Sequence, residues 1–150
     1  IIATALGAKL KSGDAPEIGF APIKRIDKHD YFSMWNKTVD VLHWHNDVVS
    51  LPEGAQPLAR SAKTKVQAFR FGSALGMQFH LEVTPTLLEE WLDESSMVKD
   101  LKAAGGSKSQ LREAFAEYNP QLQPLADQVF SSFAARCNSY GQNLAQVQQG

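Results

Sequence analysis

The hydrophobic and polar positions along the chain predict strands in its first half and helices in its second half. Alternating or short apolar runs predict a short strand at 9–11 and longer strands at 17–26, 39–44, 56–61, 66–71 and 74–79. Gly72 and Ser73 separate the last two runs and are typical of a two-residue hairpin. The pattern therefore predicts a sheet with at least one tight antiparallel turn.

From Pro85 onward the apolar spacing changes to three or four residues, which indicates amphipathic helices. One face of the first predicted helix carries four apolar residues, Leu87, Leu88, Trp91 and Leu92. Residues 103–109 read as a flexible joint, and further helices are predicted at 110–118 and 124–144. Asn119 and Pro120 predict a break between those two helices, because proline interrupts a helix interior.

The pattern at residues 1–6 predicts the last turns of a helix that ends at Gly7. A helix that starts at the first residue lacks its N-terminal cap and whatever precedes it. We therefore expect the chain to be the later part of a longer protein, with a sheet that is incomplete at its N-terminal side.

Composition and charge exclude some classes of binding partner and indicate the cellular location. The 150 residues carry a net charge of -1, and their most basic stretch, 24–28, contains its own acid, so nucleic-acid binding is not expected. The sequence contains no apolar run near the roughly 20 residues of a membrane span. A single cysteine, Cys137, excludes an internal disulfide framework and predicts a reducing, cytoplasmic location. We expect Cys137 to be a small buried hydrophobic residue.

The residues with the clearest chemistry are His80 and Glu82, which follow an apolar strand and precede Pro85. Open α/β sheets place their reactive groups at such strand exits. A carboxylate two residues from a histidine can fix its tautomer and stabilise the imidazolium that forms when it takes a proton. The alternatives are a structural histidine, and a carboxylate favoured by a helix dipole.

A second polar group lies at the end of the predicted strand 39–44. His43 and His45 share a strand face, a spacing that zinc sites use, but no third or fourth ligand is apparent nearby. We therefore predict no metal or cofactor. Asn46 and Asp47 either contact a substrate or form a strand-end turn, and the sequence leaves both open.

Three segments resemble the class I glutamine amidotransferases. Residues 78–85, QFHLEVTP, resemble the histidine–glutamate motif, with Leu81 where the family usually has proline. Residues 44–47, WHND, followed by 51–54, LPEG, are similar to the segment that helps bind glutamine. Residues 1–7 resemble the helix after the nucleophile turn. The nearest group contains the glutaminase part of GMP synthase and the γ-glutamyl peptidases.

This resemblance implies an α/β fold: an open, mostly parallel, flavodoxin-like sheet flanked by helices, with a β-hairpin and a helical C-terminal tail. Residues 1–150 would be the C-terminal portion of one amidotransferase domain, with a core at 1–98 and the tail at 99–150. The family's nucleophilic cysteine would precede Ile1. The chain by itself is then expected to be inactive.

The implied reaction is hydrolysis of the glutamine side-chain amide through a cysteine thioester, with release of ammonia. His80 and Glu82 would be catalytic, and His45, Asn46 and Asp47 would bind the substrate. A synthase partner would receive the ammonia. Two alternatives remain: a γ-glutamyl peptidase with the same catalytic groups, and a non-catalytic fragment or regulatory remnant.

Overall fold

The computed structural model describes residues 1–28 and 30–147. The strands in this part of the chain are β1 (Leu10–Arg25), β2 (Thr38–Val49), β3 (Gln56–Arg60), β4 (Ala68–Phe71), β5 (Ala74–Met77) and β6 (Phe79–His80). The helices are α1 (Ile2–Ala5), α2 (Pro85–Asp93), α3 (Ser95–Ala103) and α4 (Lys108–Val147), with a 3-10 turn at Asp30–Phe32. Residues 148–150 of the predicted helical tail lie outside the described residues.

The strands form one sheet in the order β5-β4-β3-β1-β2-β6, and every neighbouring pair is antiparallel. The expectation of an open, mostly parallel sheet is therefore wrong for the described residues. A parallel pair needs a crossover of about a dozen or more residues, usually a helix. Here α2, α3 and α4 all follow the last strand, so no long helix connects one strand to the next. The prediction that the chain combines helices with a sheet is confirmed.

The two edge strands of the sheet are neighbours along the chain, which shows that the sheet is curved. The predicted strand 74–79 is divided at Gln78 into β5 on one edge and β6 on the other. One intervening residue cannot cross a flat sheet of this width, so the edges approach each other in a barrel-like arrangement. The Gln78 N–H donates to the Gln67 carbonyl at 2.9 Å at this junction. The predicted Gly72-Ser73 hairpin is confirmed, with Gly72 at a φ of 56°.

β1 and β2 are both longer than predicted. The short predicted strand at 9–11 largely merges with the strand at 17–26 into β1, with an irregular register between Ser12 and Glu17. β2 continues past residue 44 to Val49, so Asn46 and Asp47 lie inside a strand. The alternative of a strand-end turn at these two residues is therefore wrong. The long ladder places Glu17 directly opposite His45.

α4 runs without a break through Pro120 and Pro124, so the predicted interruption at residues 119–120 is wrong. A proline in a helix interior removes one backbone hydrogen bond and clashes with a carbonyl one turn earlier. Burial of the helix's apolar face opposes this cost. Leu122, Ala126 and Val129 are 4% exposed or less and pack in the main core.

Cys137 is exposed on α4, which contradicts its predicted burial. The residue lies beyond Val129, the last fully buried position among the described side chains of this helix. Phe130 and Phe133 are already 44% exposed, so the packed part of the helix ends near this point. An apolar pattern continues along the sequence here, but no described element covers it.

Two apolar clusters cover opposite faces of β2, since Val41 belongs to one and its neighbour Leu42 to the other. The first cluster contains Tyr31, Phe32 and Trp35, from the connection between β1 and β2. The second joins Leu42 to apolar residues of α2, α3 and the start of α4. None of the described helices is long and apolar enough to cross a membrane.

Candidate active site

His80 and Glu82 lie at the junction between β6 and α2, where the sequence predicts them. His80 ends β6 and pairs with Leu42 of β2. On the other side, the Thr84 hydroxyl accepts a hydrogen bond from the Leu87 N–H at 3.2 Å and caps α2. Pro85 occupies the first turn of α2, where no N–H is required. The paired strand and the capped helix therefore fix the backbone on both sides of the two residues.

The predicted contact between the two side chains is present. His80 Nδ1 lies 2.7 Å from Glu82 Oε1, and Glu82 Oε2 accepts a hydrogen bond from the Leu81 N–H at 3.0 Å. The hydrogen bond from His80 lowers the pKa of Glu82 and outweighs the opposite effect of burial. An ionised carboxylate accepts the Nδ1 proton, which leaves the Nε2 lone pair of a neutral imidazole free to take a proton.

One tryptophan packs against this pair, and a second tryptophan packs against the first. The Trp91 ring, from α2, meets the His80 ring edge to face at 5.0 Å between centroids. Trp91 also meets Trp44 of β2 edge to face at 5.3 Å. Trp91 therefore packs directly against the imidazole ring. Trp35, in contrast, is buried in the main core.

His80 and the two histidines of β2 lie on opposite faces of the sheet. Residues paired across antiparallel strands share a face, so His80 lies on the face of Leu42 and Trp44. Side chains alternate along a strand, which places His43 and His45 on the other face. The His45 side chain therefore does not join His80 in one cluster.

On that other face, His45 belongs to a buried polar group that contains Glu17 and Gln67. Glu17 Oε2 lies 3.7 Å from His45 Nε2, accepts from Gln67 Nε2 at 2.9 Å, and accepts from the Thr64 hydroxyl at 2.5 Å. One ligand atom from each of Glu17, His43 and His45 lies within 4.8 Å of the other two. The expectation that no third metal-ligating residue lies near the two histidines is therefore wrong.

The buried group holds one carboxylate and two neutral imidazoles at neutral pH. Burial lowers the pKa of His43 to about 4, against the opposing effect of Glu17. Burial also lowers the pKa of His45, although Glu17 and the Asp47 carbonyl act in the other direction. For Glu17, burial would raise the pKa, but hydrogen bonds from Ser61 and Thr64 and the two histidines lower it overall.

Asn46 and Asp47 are exposed. Asn46 Nδ2 donates to the Ser12 hydroxyl at 2.9 Å, and the Asp47 carbonyl accepts from Gln78 Nε2 at 2.7 Å. Asp47 lines a cavity of about 620 Å³ together with Gln67, Gln78 and residues 1–3. This volume lies within the range of small-molecule sites, about 300–1,000 Å³.

Sequence reasoning missed Glu17, Gln67 and Gln78 as members of a polar site. Gln78 lies in the recognised motif, and its proximity to His80 could have been a signal. Glu17 and Gln67 stand in ordinary strand-like or apolar stretches with no motif. Their proximity to His45 depends on strand register, which the sequence does not reveal.

Comparison with known proteins identifies the family to which the chain is similar. The model of the class I glutamine amidotransferase family matches residues 1–98. The glutamine amidotransferase-like protein YfeJ of Salmonella typhimurium is 30% identical over 112 residues, which are 72% of this chain and 46% of that protein. One component of the glutamine-hydrolyzing GMP synthase of Saccharolobus solfataricus is 36% identical over 89 residues, 57% of this chain and 47% of that component. The chain spans about half the length of these two relatives.

Solved structures agree with the family match. A glutamine amidotransferase from Thermotoga maritima superposes with a TM-score of 0.80 at 26% identity, over 88% of this chain and 57% of that chain. A glutamine amidotransferase from Methylobacillus flagellatus reaches a TM-score of 0.77 at 21% identity, over 89% and 58%, and shows the fold alone. Since the family model matches well over half of the 150 residues, the chain belongs to the class I glutamine amidotransferases.

Proposed function

We propose that this chain supplies the general base and its orienting carboxylate to a cysteine-dependent glutaminase. The observation that carries the proposal is the 2.7 Å contact between His80 Nδ1 and Glu82 Oε1 at the strand–helix junction. The family is consistent with the reaction class, hydrolysis of the glutamine side-chain amide. The His80 side chain is about one quarter exposed and its Nδ1 contacts Glu82, so Nε2 is the nitrogen that would take a proton.

In the proposed reaction, His80 Nε2 takes the proton of a cysteine thiol, and the thiolate attacks the amide carbon of glutamine. Backbone N–H groups stabilise the oxyanion. The intermediate collapses to a thioester, and His80 returns the proton to the departing ammonia. His80 then takes a proton from water, whose oxygen attacks the thioester, and returns it to the sulfur as glutamate leaves. Glu82 stabilises the imidazolium at each step.

The nucleophile in this proposal is a cysteine that precedes Ile1 in the full-length protein. Cys137 does not fit the role, because it is exposed on α4 beyond the packed part of that helix. The distance along the helix from Val129 to Cys137 is about 12 Å, at about 1.5 Å per residue. No described contact links Cys137 to His80.

The substrate-binding part of the proposal concerns His45, Asn46 and Asp47. Asp47 would contact the α-amino and α-carboxyl ends of glutamine, largely through backbone groups. The His45 side chain faces Glu17 and would act by holding this part of β2 in place. Asn46 is tied to Ser12 and would fix the adjoining strand.

We further propose that the ammonia passes to a synthase partner or a fused synthase domain. The proposal rests on relatives that are named as components of a glutamine-hydrolyzing GMP synthase, in Saccharolobus solfataricus and Sulfurisphaera tokodaii. A glutaminase of this kind is expected to hydrolyse glutamine faster when its partner is bound.

The test is ammonia release from glutamine by the full-length protein and two variants. We expect His80→Ala to lower kcat by about a hundredfold or more, because general acid–base catalysis contributes that much. Glu82→Gln should cause a smaller loss, since the imidazole remains but its orientation and charged form are less favoured. Glu89→Gln is the matched control, because it makes the same chemical change at an exposed carboxylate paired with Arg112.

Wild-type kcat in His80→Ala would refute the catalytic assignment. Turnover of γ-glutamyl peptides without turnover of glutamine would replace the glutaminase by the peptidase alternative. A full-length protein that hydrolyses neither substrate, with or without a synthase, would favour the non-catalytic alternative.

A further inference from the structure

We propose that Glu17, His43 and His45 form a binding site for a divalent metal ion of the zinc class. The three side chains come from β1 and β2, the longest paired ladder of the described sheet. One ligand atom from each lies within 4.8 Å of the other two, and Glu17 Oε2 lies 3.7 Å from His45 Nε2. Glu17 is opposite His45 in the ladder, so the backbone holds them together without any loop.

The hydrogen bonds of the two imidazoles indicate which ring nitrogens carry the lone pairs. His43 Nε2 lies 3.2 Å from the Ala21 carbonyl oxygen, and His45 Nδ1 lies 3.1 Å from the Asp47 carbonyl oxygen. A carbonyl oxygen only accepts, so both contacts are hydrogen bonds when His43 Nε2 and His45 Nδ1 carry the hydrogens. Gln78 Nε2, which lies 3.3 Å from His45 Nδ1, then donates to the Asp47 carbonyl at 2.7 Å instead. In the neutral rings the lone pairs are then on His43 Nδ1 and His45 Nε2. Metal-bound histidines commonly donate their other N–H to a backbone carbonyl in this way.

Two buried atoms of this group have no hydrogen-bond partner among the described residues: His43 Nδ1 and Gln67 Oε1. Both side chains are fully buried, at 0% exposure. An unpaired buried acceptor is costly, and each one calls for a specific explanation. A metal ion beside His43 Nδ1 would satisfy the first of them.

The Gln67 amide lies beside two of the proposed ligands. Gln67 Nε2 lies 2.9 Å from Glu17 Oε2 and 3.3 Å from His45 Nε2. The two ends of an amide are nearly interchangeable in shape, so turning the Gln67 amide by half a turn places Oε1 at that position. The amide oxygen would then be the fourth ligand of a closed, four-coordinate site.

Two imidazole nitrogens and a carboxylate oxygen suit zinc, whose bonds to these atoms measure about 2.0–2.2 Å. Ligand atoms around a tetrahedral ion of that size lie about 3.4 Å apart, so the widest pair must close by about 1 Å. The bound ion would join β1 to β2 beneath Asp47 and hold the proposed substrate-binding strand. His80 and Glu82 are not among the proposed ligands of this site, and His80 lies on the opposite face of the sheet.

The test is metal content and affinity of the purified protein, measured first with zinc alone. After incubation with zinc and extensive dialysis, we expect one zinc per chain by elemental analysis, and a higher unfolding temperature than in EDTA. His43→Gln and His45→Gln should each weaken zinc binding by at least about tenfold. His80→Asn is the matched control, because it removes a histidine from the opposite face and should leave zinc binding unchanged.

A second measurement does not depend on how well the variants fold. In the wild-type protein with nitrogen-15 histidine, one equivalent of zinc should shift His43 Nδ1 and His45 Nε2 and leave the other two nitrogens of these rings as N–H donors. Absence of zinc after dialysis together with unshifted nitrogens would overturn the proposal. So would zinc that shifts His80 instead, or binding that survives in the His43→Gln/His45→Gln double variant.

Discussion

At the scale of single residues, the molecule keeps two kinds of histidine on the two faces of one strand pair. His80 is about one quarter exposed and contacts a carboxylate that stays ionised. His43 is fully buried and neutral, since burial lowers its pKa to about 4. The first environment suits a group that exchanges protons, and the second suits a group that must not. His80 is therefore tested by its effect on activity, and His43 by its effect on the free energy of unfolding.

The buried histidines predict a loss of stability in mild acid. The unfolded chain takes up a proton on His43 near pH 6.5, whereas the folded chain resists it until about pH 4. Because the unfolded state binds more protons between these values, the free energy of unfolding should be highest above pH 6.5. It should fall by at most about 1.4 kcal/mol per pH unit for this group toward pH 4. The lowered pKa of His45 acts in the same direction.

Urea unfolding between pH 7.5 and 4.5, with EDTA present, measures this effect. The variant His43→Phe removes the titrating ring from the same buried position and should show a weaker pH dependence. A free energy of unfolding that stays level, or rises, as the pH falls from 7 to 5 would contradict the prediction.

Trp91 predicts a positioning effect on His80. Loss of the edge-to-face contact, worth about 0.5–1.5 kcal/mol, should lower the kcat of the proposed glutaminase reaction in Trp91→Ala by about twofold to tenfold. Trp91→Phe keeps an aromatic ring there and should restore most of the rate. The proton on His80 Nδ1, seen by NMR, should exchange faster in the alanine variant. An unchanged rate and an unchanged Nδ1 signal in Trp91→Ala would exclude this role.

At the scale of elements, α4 shows how packing overrides a local preference. Its sequence contains two proline positions that disfavour a continuous helix, yet the helix passes both. The prolines are exposed, whereas Leu122 and Ala126 between and after them are buried in the core. The apolar face of the helix therefore packs in the core, whereas the prolines that lack a backbone N–H lie on the solvent-exposed face.

This arrangement predicts that replacing a proline of α4 stabilises the protein. Pro120→Ala and Pro124→Ala should each raise the free energy of unfolding, by up to about 3 kcal/mol, because alanine restores a backbone hydrogen bond. Chemical denaturation followed by helical circular dichroism measures the change. Gln121→Ala, an exposed neighbour that is not a proline, should have little effect. Destabilised proline variants would show that the helix depends on its prolines.

At the scale of the whole molecule, sheet curvature decides which residues meet. β5 and β6 are separated only by Gln78, yet they lie at the two edges of the sheet. The edges therefore approach each other at this residue. This brings Gln78 to the Asp47 carbonyl and Gln67 to Glu17, residues 31 and 50 positions apart. The cavity at this point is lined by α1, β2 and the strands around Gln78.

The sequence by itself determined the features that depend on a few neighbouring residues. The Gly72-Ser73 hairpin, the start of α2 at Pro85 and the His80–Glu82 contact are all confirmed, because each is set by turn chemistry or by spacing of two residues. The family resemblance is confirmed for the same reason, since it rests on short motifs.

Only the tertiary structure decided the antiparallel order of the strands, the course of α4 and the buried group around Glu17. Strand pairing depends on register and on which apolar faces pack together, and a slip of one residue would turn every side chain to the other face. Glu17 meets Thr64 and Gln67 across 47 and 50 residues of sequence. Such contacts follow from burial of the whole core, which no local pattern contains.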